Sequence, residues 1–218
     1  MKLILVRHGE TDWVSRKLYQ GSSDVPLNAR GLVQAKRVGQ AMKRERPFVI
    51  YCSELKRVRQ TAEAIARTLK QKLIVDSRLN EISFGKWEGH PYDKIKKRYP
   101  RATQLWYEAH PSSCPTGGES LRSLRKRVGS FVHELIQEQG HREGACVLVT
   151  HGGPIRMMLL ELLKIPLHLF WTIRIDPASI SAVHMDRKRM PEFALLNSQA
   201  HLDGYRTEFF SRKKGENR

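Results

Sequence analysis

Near the start of the chain stands the stretch Leu3-Ile4-Leu5-Val6-Arg7-His8-Gly9-Glu10-Thr11. Its four apolar residues predict a short buried strand, and polar residues follow without a spacer. The planar guanidinium of Arg7 fits phosphate oxygens, and the imidazole of His8 can act as a nucleophile near neutral pH. Gly9 permits a sharp turn close to a ligand. The stretch therefore predicts a strand that ends in an anion-binding, catalytic sequence.

The same pattern returns late in the chain. The apolar run Val147-Leu148-Val149-Thr150 continues directly into His151-Gly152-Gly153-Pro154. Because ligands bind at the carboxyl ends of strands in open α/β sheets, two strands that both end in His-Gly predict one shared site. A single His-Gly after a strand would more often be a hydrogen-bonded surface feature. The repetition, together with Arg7, favours the functional interpretation.

Length and composition are typical of one globular domain. The 218 residues suffice for a substantial core, and we expect a single domain over residues 1–210 with a basic, disordered tail over 211–218. We expect neither a signal peptide nor a membrane helix. Three scattered cysteines predict no disulfide framework and fit a reducing cytoplasm. They are Cys52, Cys114 and Cys146, of which the first and last lie in apolar runs and should pack in the core.

The formal net charge of +17 could attract nucleic acid, an acidic surface or small anionic substrates. The basic residues are spread along the chain, and Arg122, Arg125 and Lys126 lie at the spacing of one exposed helix face. No zinc pattern, basic zipper or RNA-binding signature accompanies them. The charge therefore favours solubility and attraction of phosphate anions, and a nucleic-acid partner is not expected.

Strand-like apolar runs alternate with helix-like periodic segments along the chain. The predicted strands are Lys2–Val6, Phe48–Cys52, Lys72–Asp76, Ala145–Thr150, Ser179–Met185 and Glu192–Asn197. The predicted helices are Asn28–Arg44, Glu54–Leu69, Tyr92–Tyr99, Thr103–Glu108, Ser120–Gln139 and Pro154–Lys164. The alternation predicts an α/β fold in which helices cover both faces of a mostly parallel sheet. The Pro-rich and Gly-rich segment Pro111–Gly118 predicts a loop.

The second predicted helix has a clear buried stripe, because apolar residues recur in it at helical spacing. They are Leu55, Val58, Ala62, Ile65 and Leu69. Ser53 precedes this helix and can cap its start. Two arginines, Arg57 and Arg59, lie two positions apart, so they point in different directions on the helix. We expect Arg59 to be an exposed surface charge.

Four blocks of the sequence, in this order, resemble the signatures of the histidine phosphatase superfamily, whose members include the cofactor-dependent phosphoglycerate mutases. The blocks are Leu5–Thr11, Ser53–Ala62, Leu79–Gly89 and Val149–Gly153. The resemblance implies a three-layer α/β/α sandwich of the phosphoglycerate mutase type. Because arginines and histidines would supply the positive charge, we expect a site with no metal ion and no cofactor. The acidic and histidine residues also lack a metal-ligand spacing such as His-Glu-x-x-His.

The resemblance implies a catalytic role for five residues. His8 would attack phosphorus and form an N-phosphohistidine, splitting hydrolysis into two steps. Arg7 and Arg57 would clamp the phosphoryl oxygens. His151, in its protonated form, would donate a hydrogen bond to a phosphoryl oxygen as negative charge develops. Glu81 would donate the leaving-group proton, for which it must be partly buried and hold that proton near neutral pH.

Four more residues are predicted to bind substrate. Gln20 and Gly21 resemble a loop that lends side-chain and backbone donors to the phosphate, and Gly152 offers a backbone N–H at the start of a helix. Many relatives carry asparagine where Val14 stands here, and valine cannot donate a hydrogen bond. Ser15 is the substitute that we predict for this missing donor.

The third block resembles the phosphatase branch, which includes α-ribazole phosphatases and broad-specificity phosphatases. The mutases have an extra substrate-enclosing segment that this chain lacks, so water should reach the phosphohistidine and hydrolysis should prevail. We predict a phosphoric monoester hydrolase for a small phosphorylated substrate, with α-ribazole 5′-phosphate as the leading candidate. A broad-specificity phosphatase and a mutase are the alternatives. A non-catalytic scaffold is disfavoured because all five catalytic residues are present.

Two questions stay open at this stage. Four aromatic residues of the middle segment could line a pocket for a ring-bearing substrate or could equally belong to the core. They are Trp87, Tyr92, Trp106 and Tyr107. The oligomeric state is also open, with a homodimer as an alternative to a monomer.

Overall fold

The computed structural model describes residues 1–186 and 190–207, and the predicted tail 211–218 lies outside them. The described strands are β1 (Lys2–Arg7), β2 (Val49–Cys52), β3 (Leu73–Val75), β4 (Ala145–Thr150), β5 (Ile180–His184) and β6 (Glu192–Ser198). They form one sheet in the order β3-β2-β4-β1-β5-β6. The first four strands pair in parallel, whereas β5 and β6 are antiparallel to their neighbours. All six predicted strands are therefore confirmed, in a mostly parallel sheet.

Seven α-helices lie in the described part of the chain. They are α1 (Asp12–Ser15), α2 (Ala29–Ala41), α3 (Lys56–Leu69), α4 (Tyr92–Arg98), α5 (Pro100–Tyr107), α6 (Leu121–Gln139) and α7 (Gly152–Leu162). The six predicted helices are confirmed with shifted ends, and the four-residue α1 is the one that the sequence did not indicate. Short 3₁₀ turns follow α2 (Met42–Arg44) and lie before and after Glu81 (Ser77–Leu79 and Gly85–Trp87). None of the described helices is both long enough and apolar enough to cross a membrane.

The sheet is buried on both faces. On β1, Leu3 and Leu5 pack into the apolar cluster that α6 and α7 cover, whereas Ile4 and Val6 pack into the cluster that α2 and α3 cover. This alternation follows from the two-residue period of a strand, and it explains why the central strands have continuous apolar runs. The architecture is the expected three-layer α/β/α sandwich.

Two pairs of residues settle alternatives that the sequence left open. Trp87 and Trp106 are 0% and 1% exposed and belong to the core between the sheet and α6. Tyr92 is half-buried, and Tyr107 is 47% exposed, so these two tyrosines lie nearer the surface. The two tryptophans are therefore core residues, and only the two tyrosines can line a pocket.

The sheet order positions the site. Strands β1 and β4 are neighbours, and Arg7 pairs in register with Thr150 at their carboxyl ends. The backbone N–H of His8 then donates to the carbonyl of Thr150 at 2.9 Å. His8 directly follows β1 and His151 directly follows β4, so both histidines lie at the same edge of the sheet.

Candidate active site

The two predicted histidines meet at this edge of the sheet. The ring centroids of His8 and His151 are 5.1 Å apart with an interplanar angle of 65°. Both side chains are buried. The structure thus brings together two residues that lie far apart in sequence, as the repeated strand-His-Gly pattern predicted.

One nitrogen of His8 is fixed by the backbone. Nδ1 lies 2.7 Å from the carbonyl oxygen of Gly9, and because a carbonyl can only accept, Nδ1 must carry the proton. In the neutral ring this leaves the lone pair on Nε2. Burial, reinforced by the charges of Arg57 and Arg7, holds the pKa of His8 well below its usual range. His8 is therefore a neutral imidazole with a defined nucleophilic atom.

His151 is also neutral in the structure. Its Nδ1 accepts from Nε of Arg57 at 3.2 Å, so its Nε2–H donates to Oγ of Ser53 at 2.8 Å. Burial and the charge of Arg57 hold the pKa of His151 well below its usual range. Arg57, Arg7 and His8 act on this fully buried ring and disfavour a further positive charge. The sequence interpretation assigns the protonated form of His151 to the moment when negative charge develops on a phosphoryl oxygen, and that role stays a prediction.

Arg57 is held by backbone carbonyls of the loop after α1. Its Nη1 donates to Ser23 at 2.7 Å and its Nη2 donates to Gly21 at 2.6 Å. Burial lowers the pKa of Arg57 to about 10, where it remains a cation at neutral pH. Arg57 is completely buried, whereas Arg59 is exposed and pairs with Glu63, as expected.

Gln20 and Gly21 act on Arg57 in the structure. With its amide oxygen turned to Arg57, Gln20 accepts from Nε at 2.5 Å and from Nη1 at 3.2 Å, while its NH₂ donates to the hydroxyl of Thr11. Gly21 has φ +52°, a conformation that favours glycine, and its carbonyl accepts from Arg57. The loop therefore orients the arginine clamp.

Arg7 also acts on both histidines. Its Nη1 donates to the carbonyl of Ile175 at 2.7 Å. Burial lowers the pKa of Arg7, and the charge of Glu81 opposes this effect. A Cβ on Gly152 would lie 3.8 Å from Cζ of Arg7, so the first residue of α7 packs beside this guanidinium. Arg7, Gly152 and the two histidines thus border one site.

Glu81 contacts the start of α7. Its Oε1 accepts from the backbone N–H groups of Gly153 and Ile82, each at 3.1 Å. These two bonds engage one carboxylate oxygen and leave Oε2 as the atom that can carry a proton. A Cβ at residue 153 would displace the Glu81 carboxylate from this position.

The structure does not bring Ser15 into this network. Ser15 is exposed, and its hydroxyl donates to the carbonyl of Asp12 at 2.9 Å within α1. Val14, in place of the common asparagine, is buried in the core with 6% exposure. The hydroxyl of Ser15 therefore does not replace the donor that an asparagine at the position of Val14 would supply.

Two residues were missed by the sequence interpretation of the site. Ser53 was assigned as a helix cap, but α3 begins at Lys56 after Leu55, which makes no side-chain cap. Ser53 instead hydrogen-bonds to His151. Its position directly after β2 could have indicated a role in the site. The second is Arg156, one turn into α7, which lies near Arg7 and Glu81. Its place four residues after Gly152 could have indicated it.

Among the described residues, one sheet edge thus combines a neutral histidine with a defined lone pair, the buried Arg57, the partly buried Arg7 and a partly buried carboxylate. This arrangement, on this fold, defines a phosphoryl-transfer site of the histidine phosphatase type. The family model "Histidine phosphatase superfamily (branch 1)" matches residues 3–199. The chain belongs to this superfamily and is a phosphoric monoester hydrolase.

Similar proteins carry phosphatase names. Phosphoserine phosphatase 1 of Hydrogenobacter thermophilus is 38% identical over 95% of this chain and 97% of its own length. Adenosylcobalamin/alpha-ribazole phosphatase of Escherichia coli is 28% identical over 92% of this chain and 97% of its own. A mycobacterial glucosyl-3-phosphoglycerate phosphatase solved with VO₃ superposes with a TM-score of 0.83, at 27% identity, covering 91% of this chain and 99% of its own. These names agree on the reaction and differ in the substrate.

Proposed function

We propose that this enzyme hydrolyses small phosphomonoesters through a phosphohistidine at Nε2 of His8, without a metal ion. The observation that carries the proposal is the hydrogen bond from Nδ1 of His8 to the carbonyl of Gly9 at 2.7 Å. It fixes the tautomer that presents Nε2 as a nucleophile, between the cations Arg7 and Arg57. This nucleophile needs no general base to activate it, because a neutral imidazole already has a free lone pair.

In the first step, Nε2 of His8 bonds to phosphorus while the bond from phosphorus to the leaving oxygen breaks. The proton on Oε2 of Glu81 passes to that oxygen, so the alcohol leaves neutral. Arg7 and Arg57 stabilise the charge on the phosphoryl oxygens. In the second step, water attacks phosphorus, the carboxylate of Glu81 accepts the water proton, and His8 is released with inorganic phosphate.

His151 changes its charge during this cycle in our proposal. It is neutral before substrate binds, because burial and Arg57 disfavour its cation. A bound phosphate dianion adds negative charge beside the ring and favours protonation. The added proton goes to Nδ1, which gives up the hydrogen bond from Nε of Arg57 and donates to a phosphoryl oxygen, as the sequence interpretation expects.

The comparisons suggest two substrates to test first. The relative named phosphoserine phosphatase is 38% identical to this chain, and the one named adenosylcobalamin/alpha-ribazole phosphatase is 28% identical. We therefore place O-phospho-L-serine beside α-ribazole 5′-phosphate as candidate substrates. The cytoplasmic location and the homodimer stay predictions; the buried, unpaired thiols of Cys52 and Cys146 agree with a reducing compartment.

The test is phosphate release from these two compounds, from 3-phosphoglycerate and from p-nitrophenyl phosphate, with EDTA and then with vanadate. We expect phosphate release that EDTA leaves unchanged and vanadate blocks, because vanadate takes the five-coordinate geometry of the transferring phosphoryl group. Activity that EDTA abolishes and a divalent cation restores would contradict the metal-free proposal. Transfer of phosphate between positions 2 and 3 of glycerate, faster than its release, would favour a mutase.

A further inference from the structure

Arg156 is a partly buried cation that the reaction steps above do not use. Its Nε donates to the carbonyl of Ile173 at 2.7 Å. Its guanidinium lies 5.2 Å from the ring centroid of Trp171 and 5.8 Å from that of Phe170. One edge of the guanidinium is therefore fixed against the backbone and aromatic rings, and the two Nη groups point elsewhere.

Arg156 forms no ion pair within 4.0 Å among the described residues, and the carboxylates of Glu81 and Asp176 act on it only at longer range. Burial and the charge of Arg7 together lower the pKa of Arg156 to about 10, and the charges of Glu81, Tyr92 and Asp176 oppose this effect. A partly buried cation without a directly paired counter-charge is costly. The guanidinium of Arg156 can therefore accept an anionic group of a ligand.

Arg156 lies beside Arg7, at the end of the site where α7 begins. A Cβ on Gly152 would lie 3.2 Å from Nη1 of Arg156 and 3.8 Å from Cζ of Arg7. Arg156 thus lies at the start of α7, where Glu81 accepts from the next residue, Gly153. The arginines that act on the pKa of His8 are Arg57 and Arg7, whereas Arg156 is coupled to Arg7 and Glu81.

This geometry places Arg156 on the side of the leaving group. In-line transfer puts the nucleophile and the leaving oxygen on opposite sides of phosphorus. His8 is the nucleophile and Glu81 protonates the leaving oxygen, so groups beside Glu81 face the organic part of the substrate. A cation there recognises a second anionic group rather than the phosphoryl group.

We propose that Arg156 determines specificity by binding a carboxylate on the leaving group of a small phosphorylated acid. The inference rests on the proposed phosphatase function. The planar fork of a guanidinium matches the two oxygens of a carboxylate, and its Nη groups are the donors left after Nε is bound to Ile173. One cation suits one carboxylate charge.

The test compares 3-phosphoglycerate with glycerol 3-phosphate, which has CH₂OH where the former has the carboxylate. For the wild-type enzyme we expect kcat/KM to favour 3-phosphoglycerate by at least about tenfold, as a charge-assisted pair would provide. Arg156→Gln should reduce this ratio by about tenfold. Arg156→Lys keeps the charge but not the fork and should retain part of the preference. Arg125→Gln removes an exposed charge of α6 that pairs with Glu161 of α7 and should leave the ratio unchanged.

A general loss of structure would lower kcat/KM for both substrates together. The ratio of the two kcat/KM values therefore reports recognition of the carboxylate alone. If Arg156→Gln and Arg156→Lys each lowered kcat/KM equally for the two substrates, the inference would be overturned. A wild-type enzyme that cleaves p-nitrophenyl phosphate and glycerol 3-phosphate without preferring 3-phosphoglycerate would overturn it too, while the proposed function would stand. No release from any phosphomonoester would refute the proposed function and the inference with it.

Discussion

The hydroxyl of Ser53 lies 2.8 Å from Nε2 of His151, although the two residues are 98 positions apart in sequence. This contact determines how the second histidine is oriented. Because the ring donates to Ser53 through Nε2, its Nδ1 is the nitrogen that accepts from Arg57. Strand β2 lies beside β4 in the sheet, so the residues that follow these two strands are brought together by the topology.

Ser53→Ala should therefore reduce kcat by about tenfold with a smaller effect on KM. The substitution removes the acceptor of the His151 proton, and an unsatisfied buried donor costs about 1–3 kcal/mol. Ser130→Ala, which changes an exposed serine of α6, is the control. Unchanged kcat and pH profile in Ser53→Ala would show that this hydrogen bond does not position His151.

Arg57→Ala and Arg59→Ala form a matched pair on one helix. Arg57 is fully buried beside His151, so its loss should lower kcat/KM by about a hundredfold or more, in the range found for removal of one charge-stabilising donor. Arg59 is exposed and pairs with Glu63, so its loss should leave kcat/KM nearly unchanged. The measurement is steady-state hydrolysis of p-nitrophenyl phosphate. Similar losses in both variants would be incompatible with the assigned clamp.

The buried histidines should make the protein less stable in mild acid. The pKa values of His8 and His151 are lowered in the folded state, whereas unfolded histidine titrates near about 6.5. Below that pH the unfolded chain binds more protons, so the free energy of unfolding falls as the pH decreases. At pH above about 7 neither state is protonated at these rings and the effect vanishes.

Urea unfolding at pH 7.5, 6.5 and 5.5 measures this loss. His8→Asn should weaken the dependence of the unfolding free energy on pH. The control is His133→Gln, because His133 is exposed on α6, and this variant should keep the wild-type dependence. An identical pH dependence in His8→Asn and the wild type would contradict the lowered pKa of His8.

Glu81→Gln should slow the hydrolysis of alkyl phosphates far more than that of p-nitrophenyl phosphate. An alkoxide needs a proton as it departs, whereas nitrophenolate leaves largely unaided, and general acid catalysis contributes about a hundredfold or more. The amide oxygen can still accept from Gly153 and Ile82, so the local structure should persist. Equal losses on glycerol 3-phosphate and p-nitrophenyl phosphate would remove Glu81 from the role of proton donor.

Much of the fold could be predicted from sequence because its signals are local. The central strands are buried on both faces, so β1 and β4 appear as continuous apolar runs, and the helices have apolar stripes at helical spacing. The pairing of His8 with His151 was also predictable, because two strand ends carried the same residues. Helix α1, with four residues, is too short to produce a periodic pattern.

The remaining features of the site depend on contacts across the fold. The role of Ser53 results from the neighbouring positions of β2 and β4, which no local pattern shows. The charge of His151 depends on burial and on Arg57, and the importance of Arg156 depends on its forming no ion pair among the described residues. Ser15 was expected from its neighbour Val14, but its hydroxyl is used within α1.

The central claim is that Nε2 of His8 carries the phosphoryl group during turnover. Rapid mixing of the enzyme with ³²P-labelled substrate, followed by an alkaline quench and peptide mapping, tests it most directly. We predict a base-stable, acid-labile phosphoenzyme on the peptide that contains His8, formed and consumed at rates no slower than kcat, and absent from His8→Asn. Turnover by His8→Asn at near wild-type rate, or a label on another residue that forms and decays at kcat, would contradict the claim.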